Sequence, residues 1–179
     1  MIRLLYILTC CLITQNFSTH HIFAKETLNA NGQPSEYAFQ MEVIAIFKQL
    51  LSKVYPDLHY HVLSETKEYD DTGQRRRRLD ILVRGGNQPA YGFELVVEAS
   101  KTIFDEHYQK PSYYGKVHSC SMVMVHFTCS GKLCNYFGPD NEDVTVIHVI
   151  YNKKEAKLVE KDWEETVYIQ GADWQVLFE

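Results

Sequence analysis

Cysteine is scarce in this sequence, and its spacing argues against a disulfide framework. The 179 residues contain five cysteines, an odd number. Cys129 and Cys134 are separated by four residues, and no second pair of similar spacing accompanies them, so the paired spacing of a zinc ribbon is missing. We therefore expect reduced or buried thiols and no structural zinc.

Positive charge and long apolar runs are also in short supply. The formal net charge is −5, which excludes a global positive field that would attract nucleic acid. The apolar start, residues 1–14, is too short to span a membrane, so no membrane span is expected. The hydrophobic share of 45% and charged share of 23% are those of an ordinary globular protein, and the length indicates one domain.

The first 34 residues differ from the rest of the chain. Arg3 precedes a short apolar run, as in a secretory signal, but no small-x-small cleavage site follows. The alternatives are an apolar helix that packs on the domain, or the stump of a longer protein. Residues 29–34 have the composition of a linker. We therefore divide the chain into an N-terminal segment, residues 1–34, and a domain, residues 35–179.

Helix and strand signals alternate after the linker. Ser35 is a good N-cap, residues 37–54 have helical spacing of apolar side chains, and Pro56 ends that helix. Three strands follow, and polar residues 67–77 are expected to form a loop between the first two. The strands are predicted over residues 58–64, 79–83 and 91–97, with residues 85–89 as a hairpin connection.

The second half of the domain begins with a polar segment that carries an apolar stripe. Residues 101–110 are predicted to be a helix that ends before Pro111. Two continuous apolar strands, residues 122–127 and 144–151, are of the kind buried on both faces. Residues 156–178 add two or three short edge strands. The order indicates an α/β fold with a mixed sheet flanked by helices.

The predicted hairpin brings two carboxylates together. If residues 85–89 form the loop, Asp80 lies opposite Glu94 and both side chains project from one face. Like charges on directly opposed residues destabilise a sheet, unless a cation lies between them or one carboxyl is protonated. Mg²⁺ is the first candidate for that cation. A one-residue register shift would instead turn Glu94 to solvent. Glu98 continues the same face, either as a third ligand or as a cap of the next helix.

These residues resemble a known nuclease pattern. Asp80, the hairpin and Glu94-Leu-Val resemble the PD-(D/E)XK pattern, whose core runs αβββαβ in a restriction-endonuclease-like fold. The order of several short motifs is also similar to the C-terminal domain of Crinkler-type effector proteins of fungi and oomycetes, over about residues 35–171. These motifs are Glu36-x3-Gln40-x-Glu42, Leu79-Asp80-Ile81, Gly92-Phe93-Glu94-Leu95 and Glu106-His107.

The resemblance implies roles for individual residues. Asp80 and Glu94 would hold Mg²⁺, with Glu42 on the first helix as an outer metal ligand. The family pattern has a lysine two residues after the glutamate, where this chain has Val96. That lysine holds the attacking water or stabilises negative charge that develops at the phosphate. Lys101 is the candidate replacement, so the expected catalytic set is Asp80, Glu94 and Lys101.

Basic and polar residues near the pair are candidates for contact with nucleic acid. Arg75, Arg76, Arg77 and Arg78 directly precede the strand of Asp80 and would place positive charge at the mouth of the site. A nuclear-localisation signal and a solvated loop are the alternatives.

Two residues of the second predicted helix extend this set. Gln109-x3-Tyr113 resembles a motif of exonucleases. His107 would contact a phosphate or act as a general base, or else be a solvated helical histidine.

Two functions remain open from the sequence. The first is a domain that binds DNA or RNA and hydrolyses phosphodiesters with Mg²⁺. The carboxylate pair and the four arginines favour this function. The second is a catalytically inactive domain that binds a host protein, which Val96 favours. Localisation is open between secretion, with action in the nucleus of a host cell, and an intracellular protein.

Overall fold

A seven-stranded mixed sheet carries one long helix on each face, which confirms the predicted α/β fold. The computed structural model describes residues 22, 24–30, 32–54, 56–69, 75–138, 144–151 and 155–168. Short 3₁₀ helices cover Lys25–Thr27 and Pro56–Leu58. The main elements are α1 (Glu36–Val54), β1 (His61–Tyr69), β2 (Arg75–Arg84), β3 (Ala90–Val97), α2 (Lys101–His118), β4 (Cys120–Thr128), β5 (Val144–Tyr151), β6 (Glu155–Glu160) and β7 (Trp163–Tyr168).

The strands lie side by side in the order in which they occur in the chain. β1, β2 and β3 pair antiparallel, whereas β3, β4 and β5 pair parallel, with α2 as the connection from β3 to β4. β6 and β7 then add an antiparallel hairpin, which confirms the extra C-terminal strands. The predicted αβββαβ core is therefore present.

Helix α1 begins and packs as the sequence predicts. The Ser35 hydroxyl accepts a hydrogen bond from the backbone N–H of Ala38 at 3.2 Å, which caps the helix. One side of the helix buries Phe39 and Phe47 against the sheet. Phe39 stacks on Phe127 of β4, with ring centroids 4.3 Å apart. This side chain packing fixes the start of α1 relative to the strands.

Helix α2 does not end before Pro111, and the prediction that it would is wrong. The helix continues to His118 with Pro111 inside it. An interior proline costs about 3 kcal/mol because it removes one backbone hydrogen bond and crowds the preceding turn. Buried Phe104 and Tyr108 before the proline and buried Tyr114 after it pack on the sheet. Burial of these three aromatic side chains offsets the cost.

The two ends of the predicted loop between the first two strands, residues 67–69 and 75–77, are strand. β1 extends to Tyr69 and β2 already begins at Arg75, while residues 70–74 lie outside the described part of the chain. The backbone register pairs Glu68 with Arg77 and Lys67 with Arg78. The predicted start of the first strand is early, because Leu58 ends a 3₁₀ helix and β1 begins at His61.

The ends of the chain are described only in part. The apolar start of the N-terminal segment, residues 1–14, lies outside the described part of the chain, whereas Ile22 is buried in the core on the α1 side. Residues 169–179 lie outside the description as well. Among the helices in the described ranges, none is long and apolar enough to cross a membrane.

A pair of buried histidines joins β4 to β5 beneath the start of α2. The Nδ1 atoms of His126 and His148 are 3.0 Å apart, and both residues have 0% exposure. His126 Nε2 accepts from the backbone N–H of Ala99 at 3.4 Å, and His148 Nε2 lies 3.0 Å from the carbonyl oxygen of Tyr136. These contacts fix both tautomers, since Nδ1 of His126 and Nε2 of His148 must donate. Burial lowers the pKa of each histidine to about 4.

Candidate active site

The β2–β3 hairpin opens where the two predicted carboxylates stand. Its backbone pairing includes Val83 with Tyr91 and Ile81 with Phe93. The next pair in this register is Asp80 and Glu94. At this position the N–H of Leu95 donates to Oδ2 of Asp80 at 2.8 Å. We call this end of the hairpin, with Asp80 and Glu94, the fork. Here the backbone N–H of Leu95 donates its hydrogen bond to a side-chain carboxylate and not to a backbone carbonyl.

Both carboxylates of the fork are buried on the α2 face of the sheet. Asp80 has 4% and Glu94 has 1% exposure. The predicted register is confirmed, and the alternative register with Glu94 in solvent is excluded. Because the two acids are close and poorly solvated, burial and then the charge of Glu94 raise the pKa of Asp80 to about 7, against the Leu95 hydrogen bond.

Helix α2 supplies two nitrogen groups to Glu94. Nδ1 of His107 lies 2.8 Å and Nζ of Lys110 lies 2.9 Å from the same Oε1 atom, and these two nitrogens are 3.3 Å apart. The residues share a helix face because they are three positions apart. The side chains are 20% and 34% exposed, so this end of the site is open to solvent.

The second oxygen of Glu94 has a different environment. Oε2 is buried, and no described residue gives it a hydrogen-bond partner. An orphaned carboxylate oxygen beside an aspartate with a raised pKa is the arrangement that a divalent cation would satisfy. The described residues contain no group of three or more His, Cys, Asp or Glu that could hold a metal ion. Mg²⁺ fits this donor set, because it uses one or two carboxylates and completes its shell with water and phosphate.

Helix α1 approaches the fork through Gln40 and Glu36. Nε2 of buried Gln40 donates to the carbonyl oxygen of Asp80 at 3.0 Å. Glu36 lies one turn earlier on the same side of the helix. Burial raises the pKa of Glu36, while the charges of His107 and Lys110 oppose the rise and that of Glu94 adds to it. Glu36 therefore belongs to the electrostatic environment of the pair.

Glu42, the predicted outer ligand, lies elsewhere on α1. It is six residues beyond Glu36, about 240° around the helix, and half-buried. The i,i+4 spacing of Glu36 and Gln40 was the signal that identified the face turned towards the fork.

Lys101, the predicted replacement for the missing lysine, has other partners. Its ammonium bonds Oδ2 of Asp105 at 2.6 Å and the Tyr136 hydroxyl at 2.9 Å, and lies 4.2 Å from the centre of the Tyr136 ring. Val96 is 1% exposed in an apolar cluster. In the structure, Lys110 contacts Glu94, and Lys101 does not. The i,i+3 spacing of Lys110 from His107, inside the predicted helix of residues 101–110, was the available signal.

The arginine run lies in β2 and only its last side chain is described. Nη1 of Arg78 bonds Oε1 of Glu65 at 2.9 Å, and the charge of Arg78 is among those that oppose the rise in the pKa of Glu36, which places Arg78 near Glu36. The side chains of Arg75, Arg76 and Arg77 lie outside the description. Gln109 is exposed and about 200° around α2 from His107, so it does not share the face that meets Glu94.

Glu98 neither caps α2 nor turns towards the fork. Ser100 is the N-cap, since its hydroxyl accepts from the N–H of Ile103 at 3.3 Å. The Glu98 carboxylate accepts hydrogen bonds from the Cys129 N–H and from the hydroxyls of Thr128 and Ser130. Burial by itself would raise the pKa of Glu98, but these hydrogen bonds outweigh it and lower the pKa. Glu98 thus ties β3 to the turn after β4.

No family model and no curated protein matches the sequence, so the Crinkler-type resemblance stays a prediction. Among solved structures, the chain is similar to an assembly of Thermococcus gammatolerans McrB AAA+ hexamers with bound McrC, at 12% identity and a TM-score of 0.34. That match covers 78% of this chain and 28% of the other.

A second match is a cryo-EM structure of a DrdV–DNA complex, at 18% identity and a TM-score of 0.30. It covers 94% of this chain and 12% of the other. The chain thus spans well under a third of either protein. TM-scores this low do not indicate a shared function.

Proposed function

We propose that this domain binds nucleic acid and hydrolyses phosphodiester bonds with Mg²⁺ at the fork. One observation carries the proposal: Asp80 and Glu94 are opposed, buried carboxylates, and an ammonium and an imidazole from α2 meet at one oxygen of Glu94. Buried ionisable groups this close together lower the stability of the fold, and such clusters are typical of functional sites. The combination of oxygen ligands and a cationic donor suits a phosphate group.

The metal ligands in this proposal are Asp80 and Glu94, with Glu36 near the entrance as an outer ligand. The orphaned Oε2 of Glu94 and the raised pKa of Asp80 support this assignment. A bound Mg²⁺ would supply positive charge to a phosphate oxygen and acidity to a water molecule. The protein holds the two carboxylates apart from bulk water, so that neither needs to reorganise.

Lys110 takes the role that the family pattern gives to a lysine at position 96. Its ammonium has three donors, of which one reaches Glu94 at 2.9 Å. The others are available to hold a water molecule or to stabilise charge on the phosphate. His107, which bonds the same carboxylate oxygen, orients this arrangement and is the nearest imidazole for proton transfer.

The second candidate is an inactive domain that uses the nuclease fold to bind a protein. The observation in its favour is that the Lys110 ammonium already neutralises Glu94 within the protein, while His107 contacts the same oxygen. In this alternative the pair of contacts is a structural ion pair, and no ligand is needed to compensate the charge.

Metal binding separates the two candidates. We would titrate Mg²⁺ and Mn²⁺ into the wild type and Asp80→Asn by calorimetry, and incubate both with plasmid DNA, single-stranded DNA and RNA. The proposed function requires binding and cleavage by the wild type and loss of both in Asp80→Asn. Asp105→Asn is the matched control, because Asp105 bonds Lys101 and Tyr136 on the outer side of α2. Absence of metal binding by the wild type would overturn the proposal.

A further inference from the structure

Within the described residues, large exposed apolar side chains are confined to the two long helices, each of which contacts the fork. They are Tyr37 at 62% exposure, Met41 at 40%, Ile103 at 46%, Tyr113 at 42% and Val117 at 44%. Scattered exposed apolar residues need no explanation, but a concentration beside a charged cleft indicates a binding surface.

On α1, the exposed residues adjoin the face that points towards the fork. Tyr37 directly follows Glu36, and Met41 directly follows Gln40, which bonds the backbone of Asp80. Consecutive helical residues differ by about 100°, so Tyr37 and Met41 form a stripe beside the polar one. The stripe therefore borders the α1 side of the site.

On α2, two of the exposed residues lie close to the groups that bind Glu94. Ile103 is one turn before His107, and Tyr113 is about 60° around the helix from Lys110 and one turn beyond it. Val117 lies a further turn away. The Tyr113 ring meets the ring of buried Tyr114 at a centroid distance of 5.7 Å, which holds it in place while leaving it exposed. We call Tyr37, Met41, Ile103 and Tyr113 the apolar rim.

We propose that the fork accepts single-stranded nucleic acid, with unstacked bases lying on Tyr37 and Tyr113 while the phosphate backbone faces the carboxylates and Lys110. This inference rests on the proposed function and names its substrate class. In a duplex the base faces are stacked on one another and cannot contact aromatic side chains, whereas in a single strand they can.

The charge of the protein agrees with this choice. A formal net charge of −5 provides little general attraction for the dense phosphate charge of a duplex. A single strand has a lower charge density, and stacking supplies affinity that needs no cation. Lys110 and Arg78, both about one-third exposed, provide local positive charge for its backbone near the site.

Anisotropy measurements with labelled strands test the inference. The probes are an oligothymidylate, an oligouridylate and a duplex of equal length, with Ca²⁺ in place of Mg²⁺ to prevent cleavage. We expect the wild type to bind the single strands at least tenfold more tightly than the duplex. Tyr37→Ala and Tyr113→Ala should each weaken single-strand binding by about tenfold, and the phenylalanine variants should retain it, because stacking needs the ring and not the hydroxyl.

Val117→Ala is the matched control, since its exposure equals that of Tyr113 but it lies one turn farther from Lys110. It should leave affinity unchanged. Equal affinity for duplex and single strand would overturn the inference. Unchanged single-strand affinity in both alanine variants would also overturn it and would assign the rim to a partner protein.

Failure of the proposed function gives a different result. Tyrosine-dependent binding of single strands by a protein that neither binds metal nor cleaves would sustain the inference and reject hydrolysis. Metal-dependent cleavage of duplex DNA that is insensitive to both tyrosines would sustain hydrolysis and reject the inference.

Discussion

Lys110 and Glu94, sixteen positions apart in sequence, share a contact of 2.9 Å across the α2 face of the sheet. The same glutamate lies two residues before Val96, the position where the nuclease pattern has its lysine. The strand has no lysine beside Glu94, and the ammonium that contacts this carboxylate comes instead from a residue of helix α2. If Lys110 replaces the strand lysine, substitution of Lys110 should change the rate of cleavage.

The first prediction concerns Lys110. Loss of one oriented charge stabiliser costs about a hundredfold to a thousandfold in rate, so Lys110→Met should reduce metal-dependent cleavage by about that factor. Lys101→Met is the control on the same helix, and its rate should remain within about twofold of the wild type. Single-turnover cleavage assays measure both. The reverse pattern, with Lys101 needed and Lys110 dispensable, would refute the assignment.

The second prediction concerns the stability that the protein loses when buried Asp80 is ionised. Its pKa is about 7 in the folded protein against 3.8 for an ordinary aspartate, so the folded state binds more protons between these values. Stability from this group therefore falls as pH rises from about 4 to 7, and the cost is complete above pH 7. Asp80→Asn should raise the free energy of unfolding by about 1–3 kcal/mol at pH 8.

Urea denaturation as a function of pH measures the effect of Asp80→Asn. The gain should shrink as pH falls from 7 to below 4, because the wild-type carboxyl is then neutral in the folded state and finally becomes neutral in the unfolded state as well. Mg²⁺ should stabilise the wild type and have no effect on the variant. A variant that is less stable than the wild type at pH 8 would contradict this account.

The third prediction concerns the buried histidine pair. His126 and His148 have a pKa of about 4 when folded and 6.5 otherwise, so the unfolded state binds more protons between these values. Their stabilising contribution is complete above pH 6.5 and is lost as pH falls towards 4. Asp80 acts in the opposite direction over much of this range, so the Asp80→Asn background isolates the histidines.

In that background, the slope of unfolding free energy against pH should approach about 1.4–2.7 kcal/mol per pH unit near pH 5, for one to two protons. Replacing both His126 and His148 by leucine should abolish the slope, even though it lowers stability at neutral pH. His61→Gln, at an exposed position, should keep the slope. Retention of the slope in the double leucine variant would show that other groups cause it.

The fourth prediction concerns the arginines of β2. If the run contacts phosphates, Arg78→Ala should weaken binding of all nucleic-acid sequences alike and reduce the salt slope by about one. Arg84→Ala, at the turn end of the same strand, is the matched control and should change neither quantity. Salt titrations of single-strand affinity give both values. Equal effects of the two substitutions would exclude a specific contact at Arg78.

The sequence predicted the hairpin register well because the evidence for it is local. A five-residue connection and strand alternation are sufficient to place Asp80 opposite Glu94, and the Ser35 cap and the apolar spacing likewise fix the start of α1. Lys110 was missed although the predicted helix, residues 101–110, included it, because its contact with Glu94 depends on how α2 packs on the sheet. The end of α2 was mispredicted for a similar non-local reason. Pro111 is a strong stop signal by itself, and only the aromatic packing of Tyr108 and Tyr114 on the sheet explains why the helix continues.

Lys101 illustrates the same limit. Its partner Tyr136 lies 35 residues away, and no local pattern predicts that contact. The long polar stretch before Asp80, residues 67–77, was predicted as a loop because it is polar and contains the sequence Asp-Asp-Thr-Gly. Strand pairing instead gives the backbone at both of its ends hydrogen-bonding partners, which composition does not reveal.

The order of strands along the chain also affects when the proposed site can form during synthesis. All groups of the proposed site are encoded between Glu36 and Lys110. Helix α2, which carries two of them, packs in a cluster with residues of β4 and β5, among them Met124 and Val146. A nascent chain that has emerged only as far as Lys110 thus has the site residues but not the surface that holds α2 in place. Catalytic competence would then arise only after β5 has left the ribosome and joined the sheet.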